Sequence, residues 1–162
     1  QAVGYEGVAK RIDVIAAALR LGATVFDLEE LELCYAPPYS SAKDPVNILG
    51  YTAANIIRGD AKVFHWDMIN KIKESGGIFI DVRTPQEFVR GTIEGSINIP
   101  LDELRQHIDE LPKDKPIYLF CQAGYRGYLA QRIIKAYGFK EVYNLSGGYR
   151  LYNAVLEDSR QR

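Results

Sequence analysis

The stretch Tyr118-Leu119-Phe120-Cys121-Gln122-Ala123-Gly124-Tyr125-Arg126-Gly127 decides how this chain is read. An apolar run with strand character meets a cysteine, and a short turn with two glycines follows. Leu129, Ala130, Ile133, Ile134 and Tyr137 then recur at a helical period. That order predicts a strand over 117–121 and a helix over 126–137, with the thiol at the end of the strand and beneath the first turn of the helix. Leading helix amides have no intrahelical partner, and the helix dipole is positive at that end. A thiolate placed there is stabilised by those N–H groups and by Arg126. Free cysteines commonly pack as small hydrophobes, and an apolar strand would hide one. The loop argues otherwise. A merely packed cysteine has no need of glycine three positions on and arginine five positions on. An anion cradle uses Gly124 for a tight turn and Arg126 as a fork of donors.

On both sides of this stretch the chain alternates. Helices are predicted over 66–74, 85–89, 101–110 and 148–157, and strands over 78–81, 97–99 and 142–144. Strands alternating with helices imply a mostly parallel sheet, with ligands bound beyond the carboxyl ends of its strands. Residues 1–58 read differently. Val8, Ile12, Ile15 and Leu19 share one face of a helix over 6–20, which Gly22 stops. Residues 24–35 mix apolar and acidic positions and end in the strand-like Leu31-Glu32-Leu33-Cys34-Tyr35. Ala36-Pro37-Pro38-Tyr39-Ser40-Ser41 is extended or turning. Asp44-Pro45 caps a helix over 45–57, which Gly59-Asp60 breaks, and 59–65 reads as a linker. Two helices and one or two strands bury too little to stand alone. They should pack on the α/β part, on a second chain or on something upstream.

The cysteine loop resembles the active-site loop of rhodanese-type sulfurtransferases, which read Cys-x-x-Gly-x-Arg after a strand. Three further segments agree in order: Phe79-Ile80-Asp81-Val82-Arg83-Thr84-Pro85-Gln86-Glu87-Phe88, then Arg90-Gly91-Thr92-Ile93-Glu94-Gly95-Ser96-Ile97-Asn98-Ile99-Pro100-Leu101, then Val142-Tyr143-Asn144-Leu145-Ser146-Gly147-Gly148. Thr92 and Glu94 depart from the histidine and proline usual in the family. Over roughly residues 63–157 the resemblance implies a rhodanese-like α/β fold, a mostly parallel sheet with helices on both faces, assigned here to 66–162. It also implies sulfur transfer through a Cys121 persulfide, from a sulfane-sulfur donor to a small thiol acceptor. Cys121 and Arg126 are the catalytic candidates. Gln122, Ala123, Gly124, Tyr125 and Gly127 are the substrate-binding ones. Cysteine phosphatases place five residues between cysteine and arginine where this chain has four, and a smaller ring suits a single sulfur better than a phosphoryl group. A non-catalytic binding or dimerisation module is the other alternative. Asp81 and Arg83 are either a functional pair or, as expected here, a turn cap and a structural ion pair.

A second resemblance covers most of residues 1–58. Glu6-Gly7-Val8-Ala9-Lys10-Arg11-Ile12-Asp13-Val14-Ile15, with Leu31-Glu32-Leu33-Cys34-Tyr35-Ala36-Pro37-Pro38-Tyr39-Ser40-Ser41-Ala42-Lys43-Asp44-Pro45-Val46-Asn47, is similar to the C-terminal dimerisation region of flavin-dependent disulfide reductases. The coenzyme A-disulfide and coenzyme A-persulfide reductases are the group in view, and some of them carry a C-terminal rhodanese domain. The resemblance implies an incomplete α+β dimerisation segment, a homodimer and a missing N-terminal flavin portion. It implies FAD, NAD(P)H and coenzyme A for the full-length protein. None is expected to bind this stretch alone, which lacks a Gly-x-Gly-x-x-Gly fingerprint. By the same resemblance Tyr35 and Tyr39 are substrate-contact candidates reaching across a dimer; packing on the proline run is the alternative.

Composition bounds the rest. A hydrophobic content of 47% and a charged content of 25% belong to an ordinary globular chain. The net charge of −1 argues against nucleic acid as a partner. Apolar runs are too short for a membrane span. The two cysteines are too far apart in sequence for a Cys-x-x-Cys or metal motif, no metal site is expected, and a reactive thiol suits a reducing cytoplasm. Cys34 is expected to be inertly buried, His65 and His107 to lie on the surface, and Tyr149 and Tyr152 to serve core or interface. The opening Gln1-Ala2-Val3-Gly4 reads as chain interior, so a fragment is expected.

Overall fold

The computed structural model describes residues 1–38 and 41–161, in two compact units, Gln1–Asp60 and Ala61–Arg162. The first unit holds α1 (Val8–Arg20), α2 (Val25–Glu30) and α3 (Pro45–Ile57). Helix α3 starts where Asp44-Pro45 predicts. The Val46 amide donates to Asp44 Oδ1 at 3.0 Å, and Asn47 Oδ1 accepts the Asp44 amide at 3.1 Å, a reciprocal capping box. Helix α2, not expected from sequence, is opened by the same device between Thr24 and Asp27.

The strand expected over 31–35 is absent. The Leu31 and Leu28 carbonyls accept the Asn47 side-chain amide at 2.9 and 3.0 Å, so a side chain takes up the hydrogen bonding at the end of α2 and residues 31–36 run as coil. Cys34, expected to be buried, is exposed for the same reason: among the described residues no partner strand covers it. Among the described residues, Leu28, Val46 and Ala54 are the buried apolar side chains of this unit. At Gly50 the helices meet closely, since a Cβ there would lie 2.8 Å from the Glu29 amide nitrogen.

The second unit is a parallel five-stranded sheet, ordered β1-β5-β4-β2-β3, from β1 (Val63–Phe64), β2 (Ile78–Asp81), β3 (Ile97–Asn98), β4 (Ile117–Phe120) and β5 (Val142–Leu145). Its helices are α4 (Ile69–Glu74), α5 (Pro85–Val89), α6 (Tyr125–Ala136) and α7 (Gly148–Gln161). Strand β1 falls inside the stretch read from sequence as a linker. The helix expected over 101–110 is instead two 3-10 turns, Leu104–Gln106 and Ile108–Glu110, which still bury Leu104 and Ile108.

Alternation along the strands builds two cores, one per face. Ile80, Val82, Ile117, Leu119 and Cys121 join Ala130 and Ile134 of α6. Phe79 and Phe120 join Phe64, Ile69, Ile72 and Leu145, with Tyr149 and Tyr152 of α7 packed against them. Cys121 therefore leaves β4 on the α6 side of the sheet.

Candidate active site

Strand β4 ends at Phe120 and α6 begins at Tyr125, so residues 121–124 form the loop. Cys121 is 2% exposed, and its Sγ accepts the Gly124 amide at 3.1 Å. Gly124 caps α6 at φ 124°, ψ −31° with open space around its α-carbon. Backbone conformation, not crowding, demands glycine there. The first intrahelical bond of α6 runs from the Tyr128 amide to the Gly124 carbonyl at 2.9 Å. The amides of Tyr125, Arg126 and Gly127 precede it and lie at the positive end of the helix dipole.

The last helix fixes the loop from behind. The Tyr149 amide donates to the Cys121 carbonyl at 2.8 Å and the Arg150 amide to the Gln122 carbonyl at 3.0 Å. Helix α7 thus satisfies its own leading N–H groups with the carbonyls of the loop. In a trans peptide the C=O and N–H point in opposite directions, so the Gln122 and Ala123 amides face away from α7. The approach is close. A Cβ on Gly148, at φ 62°, would lie 2.6 Å from the Cys121 carbonyl oxygen and 2.7 Å from that of Gln122. Asn144, the third residue of β5, donates from Nδ2 to the Gly124 carbonyl at 3.0 Å. Its Oδ1 sits so near Gly127 that a Cβ there would come within 2.1 Å.

Two arginines bound the loop, and both are paired. Arg83, 2% exposed, holds the fully buried Asp81 through Nε at 2.9 Å and Nη2 at 2.7 Å. The same guanidinium donates to Gln122 Oε1 at 3.2 Å and the Gly91 carbonyl at 2.7 Å, and lies 4.2 Å from the Tyr149 ring centre. Asp81 also caps the turn by accepting the Arg83 amide at 3.0 Å, so the expected structural pair is present and it steers Gln122 as well. Thr92, standing where the family favours histidine, donates its hydroxyl to Asp81 Oδ2 at 2.9 Å.

Arg126 forms a fork with Glu87 of α5, Nη1 and Nη2 each reaching one carboxylate oxygen at 2.7 Å. Those bonds hold the Glu87 carboxyl at about 2, against an ordinary 4.5, although burial pushes the other way. Arg126 is held charged for the reciprocal reason. Sequence reasoning missed this partner. Thr84-Pro85-Gln86-Glu87 carries a local signal only for a capping box, which is also present.

Of the expected site residues, Cys121 and Gly124 are bonded to each other, Gln122 is bonded to Arg83, and Arg126 is bonded to Glu87. Ala123 and Tyr125 sit on the loop's exposed rim, Tyr125 being 73% exposed. Gly127, read from sequence as a substrate contact, is buried with its α-carbon against Asn144. Tyr35 belongs to the first unit and is exposed there; Tyr39 lies outside the described residues. His65 is exposed, and His107 pairs with Glu110 at 3.0 Å. A surface cavity of about 410 Å³ between α6 and residues 101–105 shares no lining residue with the loop, so the chemistry is placed by the side chains and not by that hollow. Among the described residues no His, Cys, Asp and Glu group is arranged to hold a metal ion, and no helix is long and apolar enough to cross a membrane.

The chain resembles known proteins on this same ground. It is 55% identical to reduced Bacillus anthracis CoADR-RHD, whose crystal structure matches 94% of this chain at a TM-score of 0.90. It is 40% identical to a NAD-dependent persulfide reductase from A. fulgidus over 92% of its length, at a TM-score of 0.78. It spans 27% and 26% of those two chains. The thiosulfate sulfurtransferase GlpE of Ectopseudomonas mendocina is 32% identical over 53% of this chain and 79% of its own. The family model described as the rhodanese-like domain matches residues 65–154, and the chain belongs to that family.

Proposed function

We propose that residues 61–162 form a sulfurtransferase whose nucleophile is Cys121. One observation carries the reading: the Sγ lies at the carboxyl end of a central parallel strand, accepts the Gly124 amide at 3.1 Å and sits at the N-terminus of α6. The Cys121 thiolate attacks the outer sulfur of a donor, the donor's S–S bond breaks, and its electron pair leaves with the departing group. The sulfur now on Cys121 carries its charge at the tip, where the loop amides and the helix dipole stabilise it. An acceptor thiolate then attacks that sulfur, and Cys121 leaves as thiolate with the electron pair of the broken bond. No net oxidation occurs. Gln122, Ala123 and Tyr125 line the way in, and Arg126 orients the loop.

In this reading the chain is the C-terminal part of a coenzyme A-disulfide or persulfide reductase. FAD and NAD(P)H are held by an upstream portion, and coenzyme A carries the sulfur. Residues 1–58 serve a homodimer, and Tyr35 and Tyr39 contact the substrate across it. Similarity to the two reductases over nearly all of the chain supports this assignment. A reducing cytoplasm fits an unprotected thiol. The burial of Cys121, at 2% exposure, favours a second reading, a binding module with an inert thiol. Sulfur transfer from thiosulfate and from glutathione persulfide, measured side by side, separates them. Transfer lost on Cys121→Ser supports the enzyme, and absence of transfer with either donor supports the module.

A further inference from the structure

Donors of sulfane sulfur differ most in the charge beside the bond that breaks. Thiosulfate is a compact dianion that leaves as sulfite. A thiol persulfide leaves as a thiolate on an uncharged carbon chain. A site that uses thiosulfate gains from an unmatched cation facing that bond. In this molecule both arginines that bound the loop are matched by carboxylates: Arg83 by the buried Asp81, Arg126 by Glu87. Glu87 is well placed for this task. It stands at the third position of α5, where Thr84 donates to it from its amide at 3.0 Å and its hydroxyl at 3.1 Å, so the carboxylate is fixed before it meets the arginine. Arg126 in turn lies within electrostatic reach of Cys121 and Asp81. With its charge answered by Glu87, the neutral amide dipoles of the loop are left to hold a single negative charge on a terminal sulfur.

We infer that Glu87 is a positioning residue that sets donor choice: by holding the Arg126 fork it tunes the Cys121 loop to thiol persulfides and against the thiosulfate dianion. The inference rests on the sulfurtransferase reading above. With either donor the balance is the same: the Cys121 thiolate takes the outer sulfur, and the electron pair of the broken S–S bond leaves on a thiolate or on sulfite.

The test pairs a chemical probe with the transfer reaction. Iodoacetate and iodoacetamide both alkylate the Cys121 thiolate with loss of iodide, one carrying a negative charge and the other none. Their rate ratio at Cys121, read on the peptide by mass spectrometry so that Cys34 does not contribute, reports charge at the loop independently of how much thiolate is present. Glu87→Gln keeps an oxygen for the Thr84 amide and frees the Arg126 charge. It should raise the iodoacetate-to-iodoacetamide ratio about three- to tenfold at low salt and less at high salt. Arg126→Gln, which leaves the carboxylate unanswered, should lower the ratio and serves if the first variant fails to fold. In steady state, Glu87→Gln should shift kcat/KM toward thiosulfate by a similar factor, mainly through KM. An unchanged alkylation ratio in a folded variant overturns the inference. So does a changed ratio with unmoved donor preference, which leaves the sulfurtransferase reading standing. Failure of the unaltered protein to transfer sulfur from either donor overturns that reading and takes the donor inference with it.

Discussion

Helix α1 of the first unit and helix α6 of the second are 13 and 12 residues long, yet α1 buries none of its residues while α6 buries Gly127, Ala130, Gln131 and Ile134. Both are amphipathic in sequence. They differ in what stands opposite the apolar face. Helix α6 lies on a sheet whose strands supply Ile80, Ile117 and Leu119, whereas Leu19 of α1 is 70% exposed. Amphipathic pattern therefore specifies a helix and the face it offers, and a partner surface turns that face into core. The same contrast separates the ion pairs. Asp81–Arg83 is enclosed, while the pair of Arg58 and Glu29, though forked at 3.1 and 2.9 Å, is open on its cationic side, the Arg58 side chain being 47% exposed. It separates the cysteines too, one in a built loop and one in open coil.

Substitutions made in pairs, one per unit, can break that contrast. Cys121→Ser should lower sulfur transfer by about 10³-fold or more, as loss of a nucleophile does. Cys34→Ser should leave transfer within about twofold, since surface changes rarely matter; a comparable loss would mean that the coil cysteine takes part. Arg83→Ala strands Asp81 in the core and should cost about 3–5 kcal/mol in urea unfolding. Trp66, the single tryptophan of the chain, lies in the second unit and reports the transition by fluorescence. Arg58→Ala should not move that transition measurably. Leu119→Ala should cost about 2–5 kcal/mol by the same probe, and Leu19→Ala within about 0.5 kcal/mol when unfolding is followed by far-ultraviolet circular dichroism, which reports the helices of both units. A large effect at Leu19 would show that α1 has a covered face after all.

A pH dependence sharpens the site itself. The Glu87 carboxyl is depressed from 4.5 to about 2 in the fold by Arg126. A depressed carboxyl contributes stability that is present above its unfolded value and is lost as pH falls through the folded one. The stability difference between the protein and Glu87→Gln should be constant above pH 5, shrink below about 4.5 and vanish near pH 2. A difference that persists unchanged at pH 2 would place the Glu87 contribution in packing rather than in charge.

Much of the second unit was legible because its signals are local. The strand–cysteine–glycine–helix order and the apolar run of β4 each need a handful of neighbours. What was missed depends on distant partners. Strand β1 has two residues, Val63 and Phe64, and becomes a strand only by pairing with Asn144 and Leu145 of β5. Leu31 and Leu33 alternate as a strand would, but the Asn47 side chain claims the Leu31 carbonyl. Leu104, Ile108 and Leu111 keep helical spacing, and tight turns deliver the same side chains to the core. The Glu87–Arg126 fork joins residues 39 positions apart, and neither residue's surroundings announce it.

The bonds from the Tyr149 and Arg150 amides to the Cys121 and Gln122 carbonyls make the start of α7 a gauge of the sulfur loop. Any rearrangement that rotates those two peptide planes has to release these amides to solvent. Deuterium uptake at Tyr149 and Arg150 therefore reads out strain in the loop from a helix that holds it by its carbonyls. In the other direction, a handle on the final helix becomes a way to pull on the nucleophile's backbone without altering a single side chain around it.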